Sequence, residues 1–199
     1  MTVELGNATQ YAFKVVVIGQ DGVGKRSILN FLCNNKFYSS SGFENYSKKF
    51  HIQQRVVVTL QLWNANYSSL SQNLFNSILF GAQAVIIVYD SSQTESYLAV
   101  PDLIQRVNAK CIPSPYLALI ANKSDLLPHV SEEQHLYFLS KYGMYGYRTC
   151  ALAGDGVRPA FTRIAADLAG VPLNDEDIED ITGGRRMNWE MLMTADDYN

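Results

Sequence analysis

The chain of 199 residues has few cysteines, no long apolar run and no basic excess, and each shortage argues against a class of protein. Its three cysteines, Cys33, Cys111 and Cys150, are odd in number and follow no metal-binding spacing, so we expect reduced thiols. No run approaches the roughly 18 apolar residues of a membrane-spanning helix. The net charge of −3 comes without a basic stripe, so we expect no nucleic acid partner.

The two ends of the chain carry few signals of a membrane address. The N-terminal segment MTVELGNATQ has neither the basic flank nor the apolar core of a signal peptide, so we expect none. The expected reduced thiols favour a cytoplasmic protein. The last cysteine is Cys150 and the chain ends in DDYN, so we expect no lipid anchor in this sequence. Any contact with membranes would then be peripheral and made through partners.

Charge is missing from residues 56–89 and concentrated at the end of the chain. Residues 172–199 hold eight acids and two bases, a net charge of −6. We therefore expect a folded domain over residues 1–170 and an acidic tail over 171–199. The tail is either disordered or forms a short helix that docks on the same chain or on a partner through Trp189, Leu192 and Met193.

The stretch Lys14–Ser27, KVVVIGQDGVGKRS, has the spacing of a P-loop. A β-branched run precedes Gly19, and a segment that can be helical follows Gly24. Glycines let backbone N–H groups approach a polyphosphate, and the positive end of the helix faces the same anion. The predicted phosphate-binding residues are Asp21, Gly22, Val23, Gly24, Lys25, Arg26 and Ser27. The alternative is a tight strand–helix turn with a solvated lysine.

A second motif, Asn122-Lys123-Ser124-Asp125, follows another apolar strand and is typical of guanine recognition. The Asp125 carboxylate can accept from both the ring N–H and the exocyclic amine of guanine, whereas adenine offers the wrong pattern. Asn122 would brace the P-loop, and the stem of Lys123 can cover the face of the base. The alternative is a polar loop between a strand and a helix.

Strands and helices alternate along the chain, which predicts an α/β fold with a doubly wound, mostly parallel six-stranded sheet. The predicted strands are Ala12–Gly19, Phe50–Gln53, Val56–Trp63, Ala84–Asp90, Tyr116–Ala121 and Tyr147–Cys150. The predicted helices are Arg26–Asn34, Ser68–Phe80, Thr94–Ala109, Ser131–Tyr142 and Val157–Leu168, with Phe37–Lys49 as a polar loop. Pro101 marks a kink or the true start of its helix.

From about Tyr11 to Ala169 the chain resembles a Ras-superfamily small GTPase, a P-loop small G domain, and most of all the Rab branch. The resemblance rests on GQDGVGK (19–25), LQLW (60–63), VIIVYD (85–90), ANKSD (121–125) and TCALAGDGV (149–157). It implies GTP or GDP as ligand, with Cys150, Ala151 and Leu152 in the loop that contacts guanine. Leu152 would be an apolar cover for the base where the family usually has lysine.

The positions that the resemblance assigns to magnesium and hydrolysis are altered. Arg26 replaces the metal-binding hydroxyl, Asn64 replaces the aspartate that steadies the ion, and Asn45 stands at the first-switch threonine. Tyr67 replaces a glycine that binds the γ-phosphate, and Ser68 replaces the glutamine that orients water. We therefore expect Mg²⁺ to be weak or absent, with Arg26 and Lys25 neutralising the phosphates in its place. The alternative is an Arg26 that points into solvent beside a weak site.

The helix predicted over Ser68–Phe80, which the resemblance assigns to the second switch, has no charged residue. An ordinary amphipathic helix has a charged outer face, so this absence of charge predicts a partner surface. A neutral polar surface is the alternative. The residues expected on this surface are Phe50, Trp63, Leu70, Leu74, Phe75 and Ile78.

These observations favour a guanine-nucleotide-binding module with slow or absent GTP hydrolysis, in vesicle traffic or as a subunit of a larger assembly. Two other functions stay open. One is an active GTPase switch that cycles between GDP and GTP states, and the other is a pseudo-G-protein with an empty pocket.

Overall fold

The computed structural model describes residues 8–33, 43–52, 56–65 and 72–173, which form one sheet flanked by helices. The strands are β1 (Thr9–Ile18), β2 (Phe43–Ile52), β3 (Val56–Ala65), β4 (Ala84–Asp90), β5 (Tyr116–Asn122) and β6 (Tyr145–Thr149). The helices are α1 (Lys25–Cys33), α2 (Gln72–Leu79), α3 (Thr94–Leu98), α4 (Val100–Lys110), α5 (Glu132–Tyr142) and α6 (Val157–Ala169).

The sheet has six strands in the order β2-β3-β1-β4-β5-β6, and only β2 runs antiparallel to its neighbour. Residues of α1 and α6 pack on one face of the sheet, and residues of α2 to α5 pack on the other. The central strands are buried on both faces, which is why β1 and β4 read as continuous runs of Val and Ile. The predicted doubly wound, mostly parallel sheet is confirmed.

Strand β2 corrects the prediction of a loop over Phe37–Lys49. The strand begins at Phe43, and its residues from there to Ile52 pair with β3. Its inward positions include Glu44 and Lys48, and these charged residues hide the alternation that would have revealed a half-buried strand.

One helix prediction is refined and another is confirmed. A single helix was expected over Thr94–Ala109, but α3 ends at Leu98 and α4 starts at Val100, with Pro101 in its first turn. The first turn of a helix tolerates proline because a backbone N–H at that position would have no intrahelical partner. The capping box predicted at Ser131 and Gln134 is present at the start of α5.

The described part of the chain extends slightly past the predicted domain boundary. Val171 and Leu173 pack against the core cluster under α1 and α6. The remainder of the acidic tail, residues 174–199, lies outside the described residues, so both expectations for it stay predictions. Among the described helices, none combines the length and apolar character needed to cross a membrane.

Candidate nucleotide site

The turn between β1 and α1 depends on glycine at two points. Gly19 has a φ of +149° and Gly24 a φ of +96°, a backbone region that other residues rarely adopt. A Cβ atom at Gly19 would collide with the carbonyl of Val88, and one at Gly24 with the side chain of Asn122. The glycine spacing that predicted a P-loop is therefore required by the fold itself.

Lys25 lies buried at the start of α1, with its ammonium turned back on the loop. Its Nζ donates to the carbonyl oxygens of Gly19 at 2.8 Å and Gln20 at 2.6 Å. Burial lowers the pKa of Lys25 to about 8, and the charge of Asp21 opposes only part of that shift. An anionic ligand in the loop would stabilise the charged form of Lys25 more strongly than these two neutral carbonyl groups do.

The other predicted phosphate-binding residues surround this lysine. Asp21, Gly22 and Ser27 are exposed, Val23 is buried, and the Cβ side of Gly22 faces open space. The loop thus presents exposed backbone beside a buried cation, which suits a bound polyphosphate.

Asn122 connects three segments at the carboxyl ends of the strands. Its Nδ2 donates to the carbonyl of Val23 at 2.9 Å, as expected from the sequence. Its Oδ1 accepts from the hydroxyl of Thr149 at 2.9 Å and from the N–H of Ala151 at 3.2 Å. One buried amide therefore aligns the P-loop with the two loops predicted to hold guanine.

The residues predicted to read the base lie together beyond Asn122. Asp125 is exposed at the loop, and the Cys150 thiol donates to its Oδ1 at 3.1 Å. Ala151 is half-buried, whereas Leu152 is 89% exposed. The thiol thus orients one oxygen of the exposed Asp125 carboxylate.

Lys123 makes a contact that the sequence did not predict. Its backbone has a φ of +62°, and its Nζ lies 2.6 Å from the Oδ2 of Asp90. Burial raises the pKa of Asp90, but bonds from Lys123 and Ser92 outweigh it and lower that pKa overall. Asp90 is the acid that ends the apolar strand AVIIVYD, and this position is the sequence signal that could have identified it as the partner of Lys123.

Arg26 departs from the expectation that it faces the phosphates. Its guanidinium pairs with Glu44 of β2, through Nη2 to Oε1 at 2.5 Å and Nε to Oε2 at 3.1 Å. The Arg26 side chain is 64% exposed and that of Glu44 only 5%. Arg26 therefore remains largely exposed, but its guanidinium is held by Glu44 and is not a free counter-ion for a ligand. Sequence reasoning missed Glu44 because it lies inside the presumed loop.

Two more donors complete the surroundings of Glu44. Its Oε2 accepts from the hydroxyl of Tyr46 at 2.9 Å and from the Nδ2 of Asn64 at 3.0 Å. Glu44 and Asn64 are directly paired across β2 and β3. Asn45, the residue aligned with a metal-binding threonine, is exposed, and neighbouring strand residues point to opposite faces. Glu44, not Asn45, therefore lies beside Arg26.

These residues do not fit the magnesium ion that the resemblance implies. Mg²⁺ requires oxygen ligands in near-octahedral geometry, but Arg26 offers a guanidinium and Asn64 an uncharged amide. The Glu44 carboxylate has about four acceptor positions, and four protein donors already point at it. Across residues 8–33, 43–52, 56–65 and 72–173, no group of three His, Cys, Asp or Glu side chains could hold a metal ion.

The predicted partner surface is partly wrong. Phe50, Phe75 and Ile78 are buried in the core, because each lies on the inward side of its strand or helix. Leu74 is 37% exposed and Trp63 is half-buried, with the Lys14 ammonium 4.8 Å from its ring centre. Leu70, Tyr67 and Ser68 lie outside the described residues.

The chain is similar to proteins of one family. A sequence model of the Ras family matches residues 14–169. The Ras-related protein YPT3 of Nicotiana plumbaginifolia is 30% identical over 164 residues, and the Ras-related protein Rab11E of Lotus japonicus is 29% identical over 164 residues. Each alignment covers 79% of this chain and 75% of the relative. The Ras-related protein Rab-28 of Caenorhabditis elegans is 28% identical over 175 residues, which cover 83% of this chain and 71% of that protein.

The lowered pKa of Lys25 predicts that binding of a guanine nucleotide depends on pH. Phosphate oxygens favour the ammonium, so the pKa of Lys25 in the complex rises above its free value of about 8. The free protein loses this proton first as pH rises, so affinity is highest below pH 8 and falls above it. We expect GDP affinity to drop about fourfold between pH 7 and 8.5.

Calorimetric titration in two buffers of different ionisation enthalpy would detect the accompanying proton uptake near pH 8. The matched control is Lys25→Arg, which stays charged throughout and should remove the pH dependence. Equal pH profiles for the two proteins, or no proton uptake, would refute the assignment.

Proposed function

The chain belongs to the Ras family of small GTPases and is a Rab-like GTP-binding protein, and from that premise we propose an atypical member that hydrolyses GTP slowly or not at all. It acts as a binding module, in vesicle traffic or as a subunit of a larger assembly. The observation that carries the proposal is the contrast between the two halves of the site. The base side keeps its bracing bonds, whereas the metal side holds the Arg26–Glu44 ion pair.

The base side supports nucleotide binding over an empty pocket. Asn122 keeps the P-loop in register with the loops around Asp125 and Ala151. Because both ends of the Asn122 amide are hydrogen-bonded, these loops have a fixed geometry, which suits the binding of a base. GTP or GDP is the ligand that we propose for this pocket, with Mg²⁺ weak or absent.

Guanine specificity tests the proposal. We expect GDP and GTP to bind at least about 100-fold more tightly than ATP, roughly 3 kcal/mol for charge-assisted hydrogen bonds to Asp125. Asp125→Asn should weaken guanine binding and favour xanthine nucleotides, which present a carbonyl where guanine has an amine. Asp102→Asn, which alters an exposed ion pair on α4, is the matched control and should change neither affinity.

Calorimetric titration with the three nucleotides measures these affinities, and denaturing the purified protein releases whatever nucleotide it carries. Equal affinity for ATP and GTP would reject Asp125 as the base reader. A protein that carries no nucleotide and binds none would support the empty pocket.

Hydrolysis provides the second test. Asn64 donates to Glu44 and carries no charge for a metal-bound water, while Ser68 is too short to orient the attacking water. We expect single-turnover GTP loss at or below about 10⁻⁴ s⁻¹, the scale of an unassisted small GTPase. The rate should be the same in millimolar Mg²⁺ and in EDTA. Clearly faster phosphate release that needs Mg²⁺ would identify an active switch instead.

A partner surface on α2 and β3 completes the proposal. Residues 56–89 contain no charged side chain, and within this stretch Leu74 and Trp63 remain accessible. Exposed apolar side chains on elements that carry no charge of their own suit a protein partner, since interface cores are depleted in charge, and the Lys14 ammonium lies over the Trp63 ring beside them. The module would work in the cytoplasm and reach membranes only through such partners.

Charge insertion at Leu74 tests that surface. We expect Leu74→Glu to reduce binding of a co-purifying partner at least tenfold, because a desolvated carboxylate is costly in an interface, while GDP affinity stays within twofold. Leu98→Glu on α3 is the matched control, since Leu98 is 66% exposed and lies elsewhere. Quantified co-purification and hydrogen exchange of α2 provide the readouts. Equal partner binding by both variants would rule the surface out.

A further inference from the structure

We propose that the Arg26–Glu44 pair, with Tyr46 and Asn64, replaces the metal ion in ordering the elements around the first switch. The pair keeps β2 docked on α1 whichever nucleotide is bound. The inference rests on the proposed function only in naming the nucleotide. The cluster itself is made only of side chains of this chain.

The position of the cluster supports this role. Arg26 is the second residue of α1, Glu44 lies near the start of β2, and Asn64 lies near the end of β3. These are the elements that the family resemblance places around the metal and the first switch. In such proteins the first switch is ordered by the γ-phosphate and its Mg²⁺ and released on hydrolysis. Here the same elements are linked by side chains that are present in every nucleotide state.

The chemistry of the cluster is self-consistent. An aspartate at position 64 would place a second carboxylate about 3 Å from Glu44, where like charges repel. The amide of Asn64 instead donates to Glu44 at 3.0 Å. The loss of the acid at position 64 and the presence of Glu44 are therefore two parts of one arrangement, not independent departures from the family.

The carboxylate also persists as an anion at neutral pH. Burial raises the pKa of Glu44, but bonds from Arg26, Asn64 and Tyr46 outweigh it and lower that pKa overall. The same pair raises the pKa of Arg26, mainly through its hydrogen bond to Glu44. The ion pair between Arg26 and Glu44 therefore stays charged at neutral pH through contacts within the protein.

The first experiment compares β2 across nucleotide states. Amide hydrogen exchange of residues 43–52 is followed by mass spectrometry in nucleotide-free, GDP-loaded and GTPγS-loaded protein, each with Mg²⁺ and with EDTA. We expect exchange rates within about twofold of one another in all states. A change of tenfold or more between the GDP and GTPγS states would overturn the proposal.

The second experiment tests the link in the nucleotide-free protein. Arg26→Gln and Glu44→Gln should each speed exchange of β2 at least tenfold, and the double variant should be no worse than the worse single variant, because the residues act as a pair. Arg106→Gln breaks an exposed ion pair on α4 and should leave β2 unchanged. Additive effects of the two substitutions, or no effect of either, would show that the pair does not hold the strand.

Two provisions keep the outcomes separate. If Arg26→Gln fails to fold, Arg26→Lys keeps the charge but loses the two-pronged contact, and β2 should then exchange at an intermediate rate. Unchanged exchange in that variant would count against the link.

Direct titration of GDP reports on the proposed function. If no nucleotide binds but the effects of the Arg26 and Glu44 substitutions on β2 exchange are still not additive, only that function fails. If nucleotide binds and β2 moves with it, only this inference fails.

Discussion

The arrangement of the site depends on the amide of Asn122. It lies at the end of β5, where its donor reaches the P-loop carbonyl of Val23 and its acceptor receives bonds from Thr149 and Ala151. Because the carboxyl ends of parallel strands meet at one edge of the sheet, a single buried side chain can align three loops from distant parts of the sequence. The glycine at position 24 leaves the space that this amide occupies. The fold and the geometry of the pocket are therefore set by the same contact.

The two halves of the pocket differ in how they hold charge. On the base side, Lys123 is paired with Asp90, and Asp125 receives a bond from the Cys150 thiol, so each charge has a defined orientation. At the P-loop, Lys25 donates to two carbonyl oxygens, and burial lowers its pKa to about 8. The Arg26–Glu44 pair is neutral as a unit and adds little net attraction for a ligand. These contacts suit the proposed recognition of a base and a polyphosphate, and Arg26, Glu44 and Asn64 do not offer the oxygen ligands that a divalent ion needs.

Much of the fold could be predicted from the sequence because its signals are local. Buried parallel strands read as apolar runs, and the two motifs stand directly after such strands. Glu44 could not be found in this way, since an acid among serines and asparagines resembles a loop until β3 is paired beside it. The burial of Phe50, Phe75 and Ile78 was also missed, because a partner surface and a core face use the same apolar residues. The failures concern the pairing of β2 with β3 and which side of an element faces outward, and both depend on tertiary packing.

The mutual dependence of Arg26 and Glu44 also constrains how this lineage can change. Serine at position 26 would bring back a hydroxyl for a metal but leave a buried carboxylate without its cation, which is costly. Removing Glu44 first would leave the guanidinium facing any incoming ion. The first step passes through a less stable protein, and the second leaves a cation where the metal would have to bind. Once both residues were in place, selection on stability alone would tend to preserve them, whether or not their original advantage lasted.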